Sequence, residues 1–212
     1  MCILLEEAAK GMAPIGGIGP TLITGAAYAK FGTQAQKESV LGGIVEGRSY
    51  SISMSEPEAG SDVGNLSCRA EKTAGGWVIN GQKTWCSNAH FADRILLVAR
   101  TGRGEGKHEG LTMFDVPADA PGLSIVGIDT MGGKEVNDLY FTDCLLPEDA
   151  VIGVEGQVVT DENTAAEREP DRELLVVAVP QAERVGVVAI GASKRQEPKV
   201  ARAILRDGVV LL

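Results

Sequence analysis

The stretch RAEKTAGGWVINGQKTW, residues 69–85, decides the fold class of this chain. It contains two turn signals, Gly75-Gly76 and Asn80-Gly81, which separate three short runs of residues. The middle run, from Trp77 to Ile79, has the composition of a compact apolar strand. We therefore predict β-structure with tight turns in this part of the chain.

Further strands are predicted on the carboxyl side of this stretch. RILLVAR, residues 94–100, is a continuous apolar run between charged ends, which is typical of a central strand. LTMFDVP, LSIVGI and DLYFTDCLLP follow as three more strands, and Pro147 ends the last of them. Several short strands at this spacing predict a small β-barrel or sandwich over residues 48–153.

Helices are predicted on the amino side. An apolar run begins at Pro20 and ends at Gly32, a typical C-terminal stop. Thr33 and Gln36 then match a capping box, which opens a helix that closes at Gly47. The first residues, MCILLEEAAKG, are expected to be a helix entered partway, as if residues before Met1 were missing. Residues 1–47 are therefore predicted to be the end of a helical domain.

The composition changes at about residue 158. The part that follows contains none of the nine aromatic residues and only three of the 27 glycines. LLVVAV and VGVVAI predict short strands, and EPKVARAILRDGVV predicts a helix. We hypothesise that residues 158–212 are an out-of-frame translation of another domain, and a genuine unrelated tail is the alternative.

Composition excludes several classes of function. The formal net charge of −9 disfavours a nucleic-acid surface, which needs a basic face to meet phosphates. No apolar run of about 18 residues is present, so no membrane span is expected. The four cysteines lie far apart without a CxxC pair, which favours a reduced cytosol over a disulfide framework and predicts a cytoplasmic location.

SEPEAGSD, residues 55–62, resembles the signature of the acyl-CoA dehydrogenase family. KFGTQAQKESVLGGIVEGR upstream, and GWVINGQKTWCSNAHFADRILLVAR and GGKEVNDLYFTDCLLPEDAVIGVEGQ downstream, match the same family in the same order, from about Phe31 to Gln157. The resemblance implies an α+β fold with three parts. These are the end of an N-terminal helical domain (1–47), a middle β-barrel that binds FAD and acyl-CoA (48–153), and a divergent tail that the family does not match (154–212).

The resemblance implies FAD-dependent α,β-dehydrogenation of an acyl-CoA thioester, with electron-transferring flavoprotein or a similar acceptor reoxidising the flavin. In that family a glutamate from the last helical domain removes the α-proton, so no catalytic residue is assigned in this sequence. The chain is expected to be truncated and to have impaired activity or none alone, and the family's homo-oligomer is doubtful for it. Two alternatives remain: a non-catalytic remnant that binds FAD or CoA weakly or binds nothing, and an acyl-CoA oxidase.

The resemblance also implies the cofactor contacts. Ser55 and Ser87 replace threonines of the family and keep the hydroxyl donors near the flavin, Trp85 packs against the ring, and Ser61 meets the FAD pyrophosphate or the CoA part of the substrate. Glycine at position 60 permits a close backbone approach. The predicted cofactor-binding residues are Ile52, Ser53, Met54, Ser55, Gly60, Ser61, Trp85, Cys86 and Ser87.

Other polar residues carry weaker signals. Glu56, Glu58 and Asp62 are expected to be solvated loop charges, and none is a convincing base. Cys86 and His90 are spaced for one helical face, but no second pair completes a tetrahedral site, so no metal is expected. Trp77, in contrast to Trp85, is predicted to be a core residue.

Overall fold

The structure is a computed structural model. It describes residues 2–13, 16–102 and 106–157, and short strands at 175–176, 189–190, 204–206 and 209–211. Two compact units can be distinguished, Gly16–Glu167 and Met1–Ile15 together with Arg168–Leu212, and each is described by itself. The first unit contains both segments of the predicted site.

An eight-stranded mixed sheet forms most of the first unit. Its strands are β1 Tyr50–Ser53, β2 Arg69–Thr73, β3 Gly76–Ser87, β4 Arg94–Arg100, β5 Leu111–Pro117, β6 Leu123–Thr130, β7 Gly133–Leu146 and β8 Val151–Ile152. They are paired in the order β6-β7-β3-β2-β4-β5-β8, and β1 adds to β4 in parallel. This confirms the predicted fold class, helices followed by a small β domain.

The central strand β4 is buried on both of its faces. Ile95 and Leu97 pack into one cluster, the interior core, together with Trp77 and Phe114. The alternate residues, such as Leu96, pack into a second cluster, the helix-facing core, which includes residues of the helices. Because side chains alternate along a strand, a strand covered on both faces needs a continuous apolar run. The prediction for residues 94–100 is confirmed.

Two helices cover the helix-facing core. Helix α2 spans Ile18–Phe31 and ends at Gly32 as predicted, although it begins two residues before Pro20. Helix α3 spans Gln34–Val45, and the predicted capping box between Thr33 and Gln36 is present in both directions. The Gln36 side-chain amide also donates to the carbonyls of Asp149 and Val151, at 2.9 Å each, and so ties the start of α3 to the end of the sheet.

The prediction of a second turn, at Asn80-Gly81, is wrong. Strand β3 runs straight through these residues, with a register shift against β7 between Ile79 and Gly81. Gly81 has φ +145°, and a Cβ atom there would lie 2.7 Å from the Cα atom of Cys68. The segment at Cys68 passes too close to leave room for a side chain, so position 81 requires glycine. The predicted turn at Gly75-Gly76, in contrast, does connect β2 to β3.

The second unit contains helix α1, Cys2–Lys10, as predicted for the first residues. Strands β9, Leu175–Val176, and β10, Ala189–Ile190, pair antiparallel within the two predicted apolar runs. The helix predicted for residues 197–210 is wrong at its end, because β11, Ile204–Arg206, pairs with β12, Val209–Leu211. An Asp-Gly pair separates them, a hairpin signal that outweighs the helical pattern.

The remaining residues of the tail, and with them most of the region covered by the out-of-frame hypothesis, lie outside the described residues. Among the residues that are described, no helix combines the length and apolarity that crossing a membrane requires.

Candidate functional site

The two predicted cofactor segments lie side by side. At one end the Ser51 hydroxyl donates to the Ser87 carbonyl at 2.7 Å, and at the other the Thr84 amide donates to the Ser55 carbonyl at 2.9 Å. Residue numbers rise on one segment as they fall on the other, so the segments run antiparallel. The end of β1 and the end of β3 thus form one paired stretch, although some 30 residues separate them in the sequence.

Two of the predicted contact residues turn their side chains into the protein. The Cys86 thiol lies 3.3 Å from the Ser53 hydroxyl, and both side chains are buried. Burial raises the pKa of the Cys86 thiol to about 11, so it stays protonated at neutral pH. Ile52 and Met54 are half-buried against the helix-facing core. The buried Ser53 and Cys86 could therefore meet a ligand only through their main chain, whereas Ile52 and Met54 keep part of their side chains exposed.

The two serines lie at opposite ends of the paired stretch. Ser55 and Ser87 are both half-buried, and the carbonyl of each is already engaged in the pairing described above. The hydroxyls are the side-chain groups left to offer. Since Ser55 lies opposite Thr84, the serines are separated by three residues of β3, or at most about 10 Å of strand.

Trp85 projects from a bulge between these serines. The pairing of β3 with β7 shifts by one residue between Lys83 and Cys86, and Trp85 has φ +58° there. Its side chain is 62% exposed, although its neighbours Thr84 and Cys86 are buried. A non-glycine residue in the left-handed region costs about 1–3 kcal/mol and is a recurrent feature of functional sites. Bulges re-aim side chains in the same way.

Gly60 and Ser61 lie beyond the paired stretch. A tight turn, closed by hydrogen bonds of 2.8 and 3.1 Å between the main chains of Glu56 and Ala59, carries the chain to them. Both are exposed, and a Cβ atom built on Gly60 meets no atom within 4 Å. The backbone there is open to a ligand, but no described contact joins these two residues to Trp85.

The expectation that Glu56 is a solvated loop charge is wrong. Glu56 is only 5% exposed, and its Oε1 atom lies 2.9 Å from the ammonium of Lys83, whose side chain is fully buried. Its carboxylate also accepts from the Ser67 amide and hydroxyl and from the Cys68 amide. Burial alone would raise the pKa of Glu56, but the hydrogen bonds from Lys83 and Ser67 outweigh it and lower that pKa.

A signal for this pair was present in the sequence. Lysine is almost never fully buried unless it is paired, and Lys83 falls in the middle of a predicted strand. Its partner lies 27 residues away, so only the fold reveals it. The other two acids behave as expected: Glu58 is exposed, and Asp62 is exposed and pairs with Lys107 at 2.7 Å.

Comparisons with known proteins cover the region that contains both segments. A family model described as "Acyl-CoA dehydrogenase, middle domain" matches residues 51–144. The mitochondrial isovaleryl-CoA dehydrogenase of Oryza sativa subsp. japonica is 34% identical over 165 residues, which cover 74% of this chain and 40% of that protein. The chain thus spans between about a third and two fifths of the length of the curated relatives that it matches.

Two solved structures share the fold. The crystal structure of an acyl-CoA dehydrogenase from Geobacillus kaustophilus has a TM-score of 0.63 and 32% identity, and the match covers 66% of this chain and 38% of that one. The prolyl acyl carrier protein oxidase AnaB has a TM-score of 0.56 and 30% identity, with coverages of 62% and 35%.

Proposed function

Because the chain belongs to the acyl-CoA dehydrogenase family through its middle domain, we propose that it binds FAD and serves the α,β-dehydrogenation of an acyl-CoA thioester. The observation that carries the proposal is the hydrogen-bonded meeting of the Ser55 and Ser87 segments around the Trp85 bulge. The family match spans both segments, so the likeness covers the residues that the proposal uses.

The residues present fit a flavin. An isoalloxazine ring is flat, with an apolar face and polar atoms around its rim, and the exposed Trp85 lies between Ser55 and Ser87 along the paired stretch. Trp85 would pack on the ring, Ser55 and Ser87 would donate to its rim, and Ile52, Ser53, Met54 and Cys86 would contribute main-chain groups. When bound, FAD supplies the two-electron acceptor that the dehydrogenation needs.

Gly60 and Ser61 would receive the phosphate-bearing parts of the ligands. The open space over the Gly60 backbone admits a bulky group, and the exposed Ser61 provides both a hydroxyl and an amide. The FAD pyrophosphate and the CoA moiety of the substrate share this chemistry. We assign Ser61 to cofactor and substrate together.

We propose that the base for the α-proton comes from outside the described residues. Glu56 accepts four hydrogen bonds and is buried, so its carboxylate is not free to approach a substrate. Glu58 and Asp62 are exposed on a loop, and the Asp62 carboxylate is already paired with Lys107. Activity of this chain alone is therefore expected to be impaired or absent.

The electron acceptor separates two versions of the function. Electron-transferring flavoprotein or a similar acceptor is proposed for a dehydrogenase, whereas the likeness to an acyl carrier protein oxidase favours oxygen as a second candidate. Turnover of the reduced flavin with oxygen, compared with an artificial acceptor, distinguishes them. The cytoplasmic location also stays a proposal, since the rice relative is named mitochondrial.

The test of the proposal is anaerobic spectroscopy on the purified chain. We expect a yellow protein after incubation with FAD and removal of the free cofactor. Bleaching of the flavin absorption on addition of an acyl-CoA would show that the chain is catalytically competent. A yellow protein that does not bleach is the expected result for a chain that binds but does not turn over. A colourless protein that ignores FAD would overturn the proposal and favour the remnant.

A further inference from the structure

The structure assigns a positioning role to the buried Glu56–Lys83 ion pair: it holds the backbone of Ser55, and with it the Cα–Cβ bond from which the Ser55 hydroxyl meets the flavin. The inference rests on the proposed function, because it concerns the same site. Neither Glu56 nor Lys83 was predicted from the sequence to be a site residue, and neither is proposed to contact the ligand.

The first support is the set of atoms that Lys83 holds. Its ammonium donates to the Met54 carbonyl at 2.8 Å and to Glu56 Oε1 at 2.9 Å, so it bonds both neighbours of Ser55. The amide of the next residue, Thr84, donates to the Ser55 carbonyl at 2.9 Å. Lys83 and Thr84 of β3 therefore bind three consecutive residues that follow β1: Met54, Ser55 and Glu56.

These bonds act on the two peptide groups that flank Ser55. The Met54 carbonyl belongs to the planar peptide group before the Ser55 Cα atom, and the Ser55 carbonyl belongs to the group after it. Only φ and ψ of Ser55 connect the two planes. With both carbonyls bonded to β3, these angles are restrained, and the direction of the Ser55 Cα–Cβ bond is restrained with them.

The second support is the anchoring of Glu56. Its carboxylate accepts from the Ser67 amide and hydroxyl at 2.7 Å each and from the Cys68 amide at 2.9 Å. The pair is thus tied to the chain that enters β2 as well as to β3. A hydrogen bond weakens steeply as its angle departs from linear, so a hydroxyl that binds the ring rim requires a held backbone beneath it.

A purely stabilising role explains the pair less well. Burial of two charges incurs a desolvation penalty that their attraction roughly offsets, and apolar replacements of a complete pair are often neutral or stabilising. The ammonium of Lys83 also reaches the main-chain carbonyl next to Ser55, which a pair serving only charge balance does not require.

The experiment is a double-mutant cycle on FAD affinity, measured by quenching of flavin fluorescence. We expect Ser55→Ala to weaken FAD binding by about 3- to 10-fold in the original chain, the value of one hydrogen bond. In a chain carrying Glu56→Gln with Lys83→Met, the same change should weaken binding less than about twofold, because the hydroxyl is no longer aimed. The neutral pair should also shift the bound flavin's absorption band as Ser55→Ala does.

Two control variants match the changes. Lys72→Met removes a half-exposed lysine from the neighbouring strand β2, and Ser124→Ala removes an exposed hydroxyl from β6. Both should leave the affinity and the flavin band unchanged. Far-UV circular dichroism of every variant verifies that the fold is retained.

Each outcome of the experiment supports or overturns the positioning role. Equal weakening by Ser55→Ala in both backgrounds overturns the positioning role and leaves FAD binding intact. Failure of the original chain to bind FAD overturns the proposed function, and the inference with it. Should the double variant not fold, Glu56→Gln with Lys83→Gln serves in its place, because it also removes both charges and the ammonium that binds the Met54 carbonyl. Additive effects of this neutral pair and Ser55→Ala would then contradict the inference.

Discussion

Strand β3 carries both tryptophans of the chain, and they have opposite environments. Trp77 is 2% exposed and packs edge-on against Phe114, with ring centroids 5.2 Å apart. Trp85, eight residues later, is 62% exposed at φ +58°. The first part of the strand contributes its large side chains to the core, whereas the bulge at its end presents an indole to solvent. Residue type and strand are the same, so local backbone geometry separates a stabilising residue from a candidate binding residue.

The stability of the chain should depend most strongly on Trp77, at the core end of β3. Trp77→Ala should lower the free energy of unfolding by about 3–5 kcal/mol, because it removes a large buried side chain and leaves a cavity. Urea titration followed by circular dichroism measures it. Trp85→Ala is the matched control and should lower that free energy by less than about 1 kcal/mol. Equal losses in both variants would contradict the division of the strand.

A comparable loss is expected between the two tryptophans, at Lys83. Lys83→Met should lower the free energy of unfolding by about 3–5 kcal/mol, since Glu56 is left as a buried charge without its counter-ion. The same substitution at the half-exposed Lys72 should lower it by less than about 1 kcal/mol. Thermal and urea unfolding of the two variants side by side provide the measurement. A Lys83→Met chain as stable as the original would show that the pair is not buried as described.

At the Trp85 bulge, a substitution should raise the free energy of unfolding slightly where the previous two lower it. Trp85→Gly should leave the free energy of unfolding unchanged or raise it by up to about 1 kcal/mol, because glycine adopts positive φ without strain. The same variant should bind FAD more weakly, as the ring loses its packing surface. Urea titration and flavin fluorescence measure the two quantities. A clear loss of stability would indicate that the Trp85 side chain supports the fold.

The smallest effect is a dependence on pH. The pKa of Glu56 is lowered in the folded chain below its ordinary value of 4.5. Its contribution to stability is therefore complete above that ordinary value and is lost as the pH falls through the lowered folded pKa, because the unfolded chain binds the proton first. Urea midpoints between about pH 3 and pH 6 should fall less steeply in Glu56→Gln than in the original chain. Identical slopes would contradict the buried, ionised carboxylate.

Local patterns predicted the parts of the fold that depend on neighbouring residues. The capping box of Thr33 and Gln36, the stop at Gly32 and the buried run of β4 are each determined within a few residues, and each is confirmed. The turn predicted from the Asn80-Gly81 pair was wrong, because the glycine is required by the close approach of Cys68 and not by a turn. No local pattern could reveal that.

Part of the site was similarly accessible and part was not. The resemblance selected both segments, and the structure brings them together by the bonds at Ser51 and Thr84. Glu56 was assigned to solvent, since glutamate among turn-forming residues is normally exposed. Its burial depends on Lys83, which lies on β3, and on Ser67, which lies just before β2, so these contacts exist only after the sheet has formed.

The most direct test of the central claim uses the two tryptophans as internal reporters. Their indole N–H groups give separate signals in a ¹H–¹⁵N correlation spectrum, and Trp85→Phe assigns them. On titration with FAD, we predict that the Trp85 signal shifts strongly through the ring current of the flavin while the signal of buried Trp77 stays in place. A Trp85 signal that does not move at saturating FAD would contradict the claim that the bulge on β3 holds the ring.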